Sequence, residues 1–169
     1  MSPSAAARAD APTRPTLLEG GAVGVEAVYA ADRWHAARLG VPTRRGRGSA
    51  RFDTITQTWL REPVKVWSRF RLATGCAFGT VSAGALGMSR FSAFLTGCHP
   101  DVVDEAGITR AVLEGYRSWL AASRYSTNTK LLSLSMLRGF LDACRRHDWL
   151  TRLLHNAIIY EEALPNSAH

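Results

Sequence analysis

The sequence has only three cysteines, and their spacing matches no disulfide or metal-binding motif. Cys76, Cys98 and Cys144 are far apart, their number is odd, and no Cys-x-x-Cys pair occurs. Neither a disulfide framework nor a zinc site is therefore predicted, and the three thiols are expected to be reduced and buried. Paired carboxylates for acid–base chemistry and a glycine-rich phosphate loop are also missing. We expect no cofactor, no bound metal and no small-molecule substrate.

Long apolar runs are missing as well. No stretch approaches the roughly 18 apolar residues that a membrane-spanning helix needs. The beginning of the chain, MSPSAAARADAPTRP, contains no apolar segment of the signal-peptide type. The sequence therefore predicts a cytoplasmic protein with no membrane partner.

Lysine is nearly absent, yet the chain is basic. Lys65 and Lys130 are the two lysines among 21 Lys and Arg residues, and the net charge is +7. The planar guanidinium group of Arg suits phosphate, so this composition indicates a polyanionic partner. Hydrophobic residues make up 46% of the chain, which is enough for a folded core.

Four amphipathic helices are predicted after residue 52, and no stretch alternates as a strand, so the predicted class is all-α. Thr80, Thr109 and Ser126 are the predicted N-caps, because each precedes an apolar stripe of helical period. Gly84 and Gly87 would each cost about 1 kcal/mol relative to Ala, so the second helix is the least favourable. The predicted ranges are Trp59–Thr74, Thr80–Leu95, Arg110–Ala122 and, within the stretch from Ser126 to Leu150, a fourth helix whose buried stripe is Leu134, Leu137, Phe140, Leu141 and Cys144.

The predicted domain organisation places the helices after a basic arm. Residues 1–51 are expected to form a flexible arm with a short helix near residues 30–39. Residues 52–165 are expected to form the helical domain with its exit linker, and residues 166–169 a tail. In the arm, Arg44, Arg45 and Arg47 either contact phosphates or remain solvated.

The order of motifs in residues 52–165 resembles the N-terminal core-binding domain of tyrosine recombinases, the phage-integrase type of site-specific recombinase. The segment from Arg33 to Gly40 is also similar to a leader found in some integrases. The resemblance implies a four- to five-helix core-binding (SAM-like) bundle after a largely disordered arm. The features that carry it are Thr80, Phe91-x-x-Phe94-Leu95, Ile108-Thr109-Arg110, Ser126-x-x-Thr129, Leu137-Arg138-x-Phe140-Leu141, Trp149 and Pro165.

The same resemblance implies a role in DNA integration and recombination, with double-stranded DNA and other recombinase protomers as partners. The family cuts DNA with Arg, His-x-x-Arg and Tyr residues of a second domain, which follows the exit linker. This chain ends soon after Pro165, so we expect a truncated, DNA-binding chain that is not an enzyme. The His35-x-x-Arg38 match lies in the wrong place, and Tyr116 and Tyr160 have no catalytic neighbours in the sequence.

The residues predicted to contact DNA lie at helix beginnings or are basic residues on helix surfaces. Helix N-termini bind phosphate through free N–H groups, and Ser, Thr and Asn side chains add donors. Plain capping and ordinary surface exposure are the alternatives at each position. The predicted set is Thr80, Ser82, Arg90, Ser126, Thr127, Asn128, Thr129, Lys130 and Arg138.

Other residues and other functions have simpler interpretations. Arg145 and Arg146 are expected to interact with the C-terminal dipole of the fourth helix. Trp67, Trp119 and Trp149 are expected to pack in the core.

Two functional alternatives remain open at this point: a helical protein–protein module that regulates a full-length recombinase, and a truncated remnant without a selected function.

Overall fold

The structure, a computed structural model, describes residues 24–43 and 48–159 and is mostly helical. Predicted positions outside these ranges include Arg44, Arg45, Arg47, Tyr160 and Pro165. Residues 24–30 are helical and are called α1 here. The remaining elements are β1 (Arg33–His35), α2 (Ala36–Leu39), β2 (Ser49–Arg51), α3 (Thr58–Ala73), α4 (Phe78–Cys98), a 3-10 turn (Glu105–Gly107), α5 (Arg110–Ala122) and α6 (Thr127–His147).

The predictions for α3, α5 and α6 are confirmed, and side-chain caps fix the beginnings of α5 and α6. The Thr109 hydroxyl accepts a hydrogen bond from the Val112 N–H at 3.1 Å, and Ser126 Oγ accepts one from the Thr129 N–H at 3.1 Å. Each cap satisfies an N–H group that the first helical turn leaves without a partner. The predicted apolar stripe of α6 is buried at every position: Leu134, Leu137, Phe140, Leu141 and Cys144.

Helix α4 differs from its prediction at both ends. It begins at Phe78, behind an extended Ala77 that makes no side-chain cap, so Thr80 lies in the first turn and is not the N-cap. Phe78 is 1% exposed, and its burial fixes the beginning of the helix without a polar cap. Gly97 does not end the helix, because it lacks the positive φ with which a glycine ends one.

The two glycines of α4 allow close helix packing. A Cβ atom at Gly84 would lie 3.3 Å from the Trp67 ring of α3, and one at Gly87 would lie 3.1 Å from Met136 Cβ of α6. Both distances are tighter than ordinary contact, so α4 gives up helix propensity to approach its two neighbours. The same glycines that lower the helix propensity of α4 therefore allow it to pack closely between α3 and α6.

The chain before residue 52 belongs to the core in its described part, unlike the flexible arm that the sequence predicts. Trp34 is fully buried, and its Nε1 donates to the backbone oxygens of Ala31 at 3.0 Å and Tyr29 at 3.2 Å. Its ring lies 4.5 Å from the Phe52 ring. The predicted boundary at residue 52 therefore does not coincide with the beginning of the packed core.

A two-stranded antiparallel sheet, which the sequence does not predict, joins this segment to α4. Strand β1 pairs with β2 in the register Arg33 with Arg51, Trp34 with Ala50 and His35 with Ser49. Strands of three residues are too short to show an alternating pattern, and their pairing depends on contacts distant in sequence. Of residues 30–39, where a short helix is predicted, Ala36–Leu39 are helical as α2 and Arg33–His35 form β1, while α1 ends at residue 30.

Ion pairs hold α1 and β1 against α3. Lys65 is 6% exposed, and its Nζ donates to Ala30 O at 2.7 Å and to Asp32 Oδ1 at 3.0 Å. Arg69 forms an ion pair with Glu26. The hydrogen bond that the Arg69 guanidinium donates in this pair lowers the pKa of the Glu26 carboxyl below its ordinary value. Because the buried amine has both partners, its burial does not oppose the packing of this segment on α3.

Two predictions near the end of α6 also have structural outcomes. Arg145 pairs with Asp142 and donates to the backbone oxygens of Leu154 and Ala157, so it holds the chain that follows the helix. Arg146 is exposed in the last turn, as expected for a residue near the negative end of the helix dipole.

The tryptophan prediction is confirmed for Trp67, which is buried, while Trp119 and Trp149 are partly buried against the core.

The three thiols differ in exposure, which gives a direct chemical prediction. Cys98 is exposed, in contrast to the prediction, because it ends α4 at the surface, whereas Cys144 is buried and burial raises its pKa to about 12. At about pH 8 Cys144 is therefore far less ionised than an ordinary cysteine, and the thiolate is the reactive form. We expect iodoacetamide to modify Cys98 in the native protein and Cys144 after unfolding, as mass spectrometry of peptides would show. Equal native rates would contradict the buried position.

Candidate nucleic-acid interface

At least seven basic side chains of the described residues lie within 4 Å of carboxylates, and three of these seven are on α3. The nitrogen–oxygen distances in these ion pairs extend up to 3.8 Å. Charge that is matched in this way contributes little net positive potential around the molecule. These residues are Arg51, Arg61, Lys65, Arg69, Arg117, Arg145 and Arg152.

Three other cations, Arg71, Arg90 and Lys130, are held by uncharged groups, and we call them the cationic seam. The Arg71 guanidinium lies 4.5 Å from the centre of the Trp67 ring, with Nη1 4.0 Å from the sulfur of Met136. The other two reach groups at the N-terminal end of α6 and the C-terminal end of α5. All three are half-buried, around the line where α4 packs on α6.

Arg90 connects the middle of α4 with the beginning of α6. Its Nη1 donates to Ser133 Oγ at 3.1 Å, and its guanidinium lies 4.9 Å from the centre of the Tyr125 ring. Ser133 Oγ in turn donates to Thr129 O at 2.8 Å. The hydroxyl and the ring fix the position of Arg90 but carry no charge, so the positive charge of the guanidinium is not cancelled.

Lys130 plays a similar part between α5 and α6. Its Nζ donates to Ala121 O at 2.9 Å, in the last turn of α5. The carbonyl groups at this end carry a partial negative charge and are otherwise without intrahelical donors. The ammonium group is thus positioned by a neutral acceptor, and it lies in the first turn of α6 beside the cap.

The beginning of α6 has the geometry of a site for anions. Ser126 and Thr129 are engaged with each other through the cap and a 3.0 Å contact between their hydroxyl oxygens. Thr127 and Asn128 are exposed, and the first turn contains no acidic residue. The positive end of the helix dipole therefore faces solvent without a neutralising carboxylate.

The predicted residues at the beginning of α4 form a second, separate group. Arg90 of α4 pairs with Ser133 of α6 while Gly87 faces Met136, so the two helices run antiparallel. Twelve residues separate Phe78 from Arg90, which is about 18 Å along the helix axis. Thr80 and the beginning of α4 therefore lie well away from the beginning of α6.

Within that second group the two predicted hydroxyls differ. Thr80 is exposed, whereas Ser82 Oγ donates to Ser49 O of β2 at 2.8 Å. Ser82 therefore has a structural partner that its sequence position did not reveal. Arg138 is half-buried on α6. Contacts of Thr80, Ser82 and Arg138 with DNA stay predictions.

Sequence reasoning missed Arg71, Tyr125 and Ser133 as parts of this surface. Arg71 follows Trp67 by four residues, a spacing that places a cation over an aromatic ring on one helix face and could have been recognised. The contacts of Arg90 with Tyr125 and Ser133 cross 35 and 43 residues of sequence. No local signal in the sequence reports such contacts.

Other kinds of site find little support in the part of the chain that is described. Tyr116 is fully buried, and burial raises the pKa of its hydroxyl far above the ordinary value, which makes it a poor nucleophile. Across residues 24–43 and 48–159, His, Cys, Asp and Glu do not gather in threes or more where they could hold a metal ion. Among the same residues, no helix combines the length and apolar character needed to span a membrane.

Comparison with known proteins gives no relative. No family model matches the chain, and neither a curated protein nor a solved structure matches it.

Proposed function

We propose that the chain is a core-binding domain of the tyrosine-recombinase type, a SAM-like helical bundle that binds double-stranded DNA mainly through phosphates. The observation that supports it best is the cationic seam: Arg71, Arg90 and Lys130 are positioned by neutral groups, while seven other cations are matched by carboxylates. It would act in the cytoplasm, on the nucleoid, in DNA integration and recombination.

The dimensions of the seam suit a duplex backbone. Arg71 Nη1 lies beside Gly84 of α4, 2.7 Å from where a Cβ atom would be, and Arg90 lies six residues further along the helix, which is about 9 Å. Lys130 lies one turn before Ser133, the partner of Arg90. The three cations are therefore spaced along the contact between α4 and α6, and a DNA strand carries a phosphate at every nucleotide with which such spaced charges can pair. The free N–H groups of α6 add donors at one end.

The proposed activity is binding and not strand cleavage. Cleavage by this family needs a tyrosine that attacks phosphorus among several arginines and a histidine. Tyr116 is buried, with a raised pKa, and cannot reach a phosphate without unfolding its surroundings. The described residues support the DNA-contacting part of the reaction, with contacts to other protomers as a further part of the proposal.

Replacing Lys130 with glutamine tests the proposal directly. Glutamine keeps an N–H donor near Ala121 O, so the variant removes the charge and retains hydrogen-bonding capacity. One lost phosphate contact lowers affinity about five- to tenfold near 0.1 M salt. Fluorescence anisotropy with a labelled duplex would measure this. Arg152→Gln, which removes a cation that pairs with Asp104, is the matched control and should change affinity by less than about twofold. Equal effects of the two variants would contradict the proposal.

A further inference from the structure

The ring of Tyr125 is an exposed aromatic surface inside the cationic seam. Tyr125 is 40% exposed and lies in the link between α5 and α6, directly before the cap Ser126. The Arg90 guanidinium covers one face at 4.9 Å from the ring centre. Any further group that stacks on Tyr125 must therefore use its opposite face.

Neighbouring cations make that face suitable for a nucleotide. Arg124 is exposed beside Tyr125, Lys130 lies one turn into α6, and Arg90 holds the ring from behind. Proteins that bind single strands combine such cations, which follow the backbone, with aromatic rings on which bases stack. A paired base in a duplex has both faces covered by its neighbours and cannot stack on a protein ring. An exposed aromatic ring beside cations therefore offers a stacking surface to an unpaired base that a paired base cannot use.

We infer that Tyr125 stacks with an unpaired nucleobase, so that the cationic seam binds DNA with a single-stranded stretch as well as duplex. This inference rests on the proposed function, because the same cations hold the backbone in both cases. It adds a substrate class, DNA whose bases are locally unpaired, which phosphate contacts alone do not select.

The test compares two variants on two polymers. Tyr125→Leu removes the ring, whereas Tyr125→Phe keeps the ring and its contact with Arg90. Affinity for a labelled oligothymidylate should fall about 5- to 100-fold in Tyr125→Leu and stay within about twofold in Tyr125→Phe. Affinity for a labelled duplex should be unchanged in Tyr125→Phe and should fall less than affinity for oligothymidylate in Tyr125→Leu, because the leucine variant loses one of the two groups that position Arg90 but keeps Ser133. Circular dichroism melting would verify that the variants fold like the parent protein.

The outcomes separate this inference from the proposed function. Duplex binding without oligothymidylate binding by the parent protein would overturn the stacking role and leave the proposed function standing. A similar loss on both polymers in Tyr125→Leu, or an equal loss in Tyr125→Phe and Tyr125→Leu, would also overturn it. Failure of the parent protein to bind either polymer would overturn both.

Discussion

Replacing Trp34 with alanine is expected to destabilise the protein by about 4 kcal/mol and to lower its Tm by about 12 °C. The indole is fully buried, contacts the rings of Tyr29 and Phe52, and donates to two backbone oxygens. Truncation would leave a cavity beneath β1 and leave the oxygens of Tyr29 and Ala31 without this donor. Both terms act in the same direction, so the effect is large for one substitution.

Urea unfolding followed by circular dichroism would measure this change. Val103→Ala is the matched control, because Val103 is 74% exposed and its truncation should cost less than about 0.5 kcal/mol. A Trp34→Ala protein as stable as the control would mean that the segment before residue 52 is the flexible arm that the sequence predicts. The same experiment on Trp34→Phe should show an intermediate loss, since the ring contacts persist and the N–H donor does not.

Removing the whole cationic seam is expected to weaken duplex binding by two to three orders of magnitude. The variant Arg71→Gln, Arg90→Gln and Lys130→Gln loses three charges that uncharged groups position at the surface. Each phosphate contact contributes about five- to tenfold near 0.1 M salt, and separate contacts combine multiplicatively. Fluorescence anisotropy at a fixed salt concentration would measure the loss.

A control with the same change in net charge separates position from total charge. The variant Arg51→Gln, Arg117→Gln and Arg152→Gln also loses three cations, but each of them pairs with a carboxylate. We expect the control to lose less than about fivefold in affinity, because paired surface charges contribute little. Equal losses in the two variants would show that net charge alone determines binding, against a role for the seam.

Local signals explain which elements the sequence predicts well. Helices α5 and α6 begin with Thr109 and Ser126, whose hydroxyls cap within three residues, and the stripe of α6 repeats at helical spacing. Cap and stripe are both visible without tertiary contacts. The beginning of α4 is different, since burial of Phe78 fixes it and the apparent cap Thr80 lies inside the helix.

Contacts between distant residues explain what the sequence could not predict. The pairing of β1 with β2, the burial of Trp34 and the position of Lys65 all join segments that are far apart in the chain. The same holds for the candidate site. Sequence identified Arg90 and Lys130 as basic residues on helices, but which cations meet neutral partners and which meet carboxylates is decided by tertiary packing.

The most direct measurement is the salt dependence of duplex binding by the parent protein and by the seam variant. A plot of log Kobs against log salt concentration has a slope of about −0.9 for each phosphate that the protein neutralises. With Arg71, Arg90 and Lys130 on phosphates, the parent slope should be steeper than that of the variant by about 2.7. Parallel lines for the two proteins would show that these cations contact no phosphate and would contradict the proposed interface.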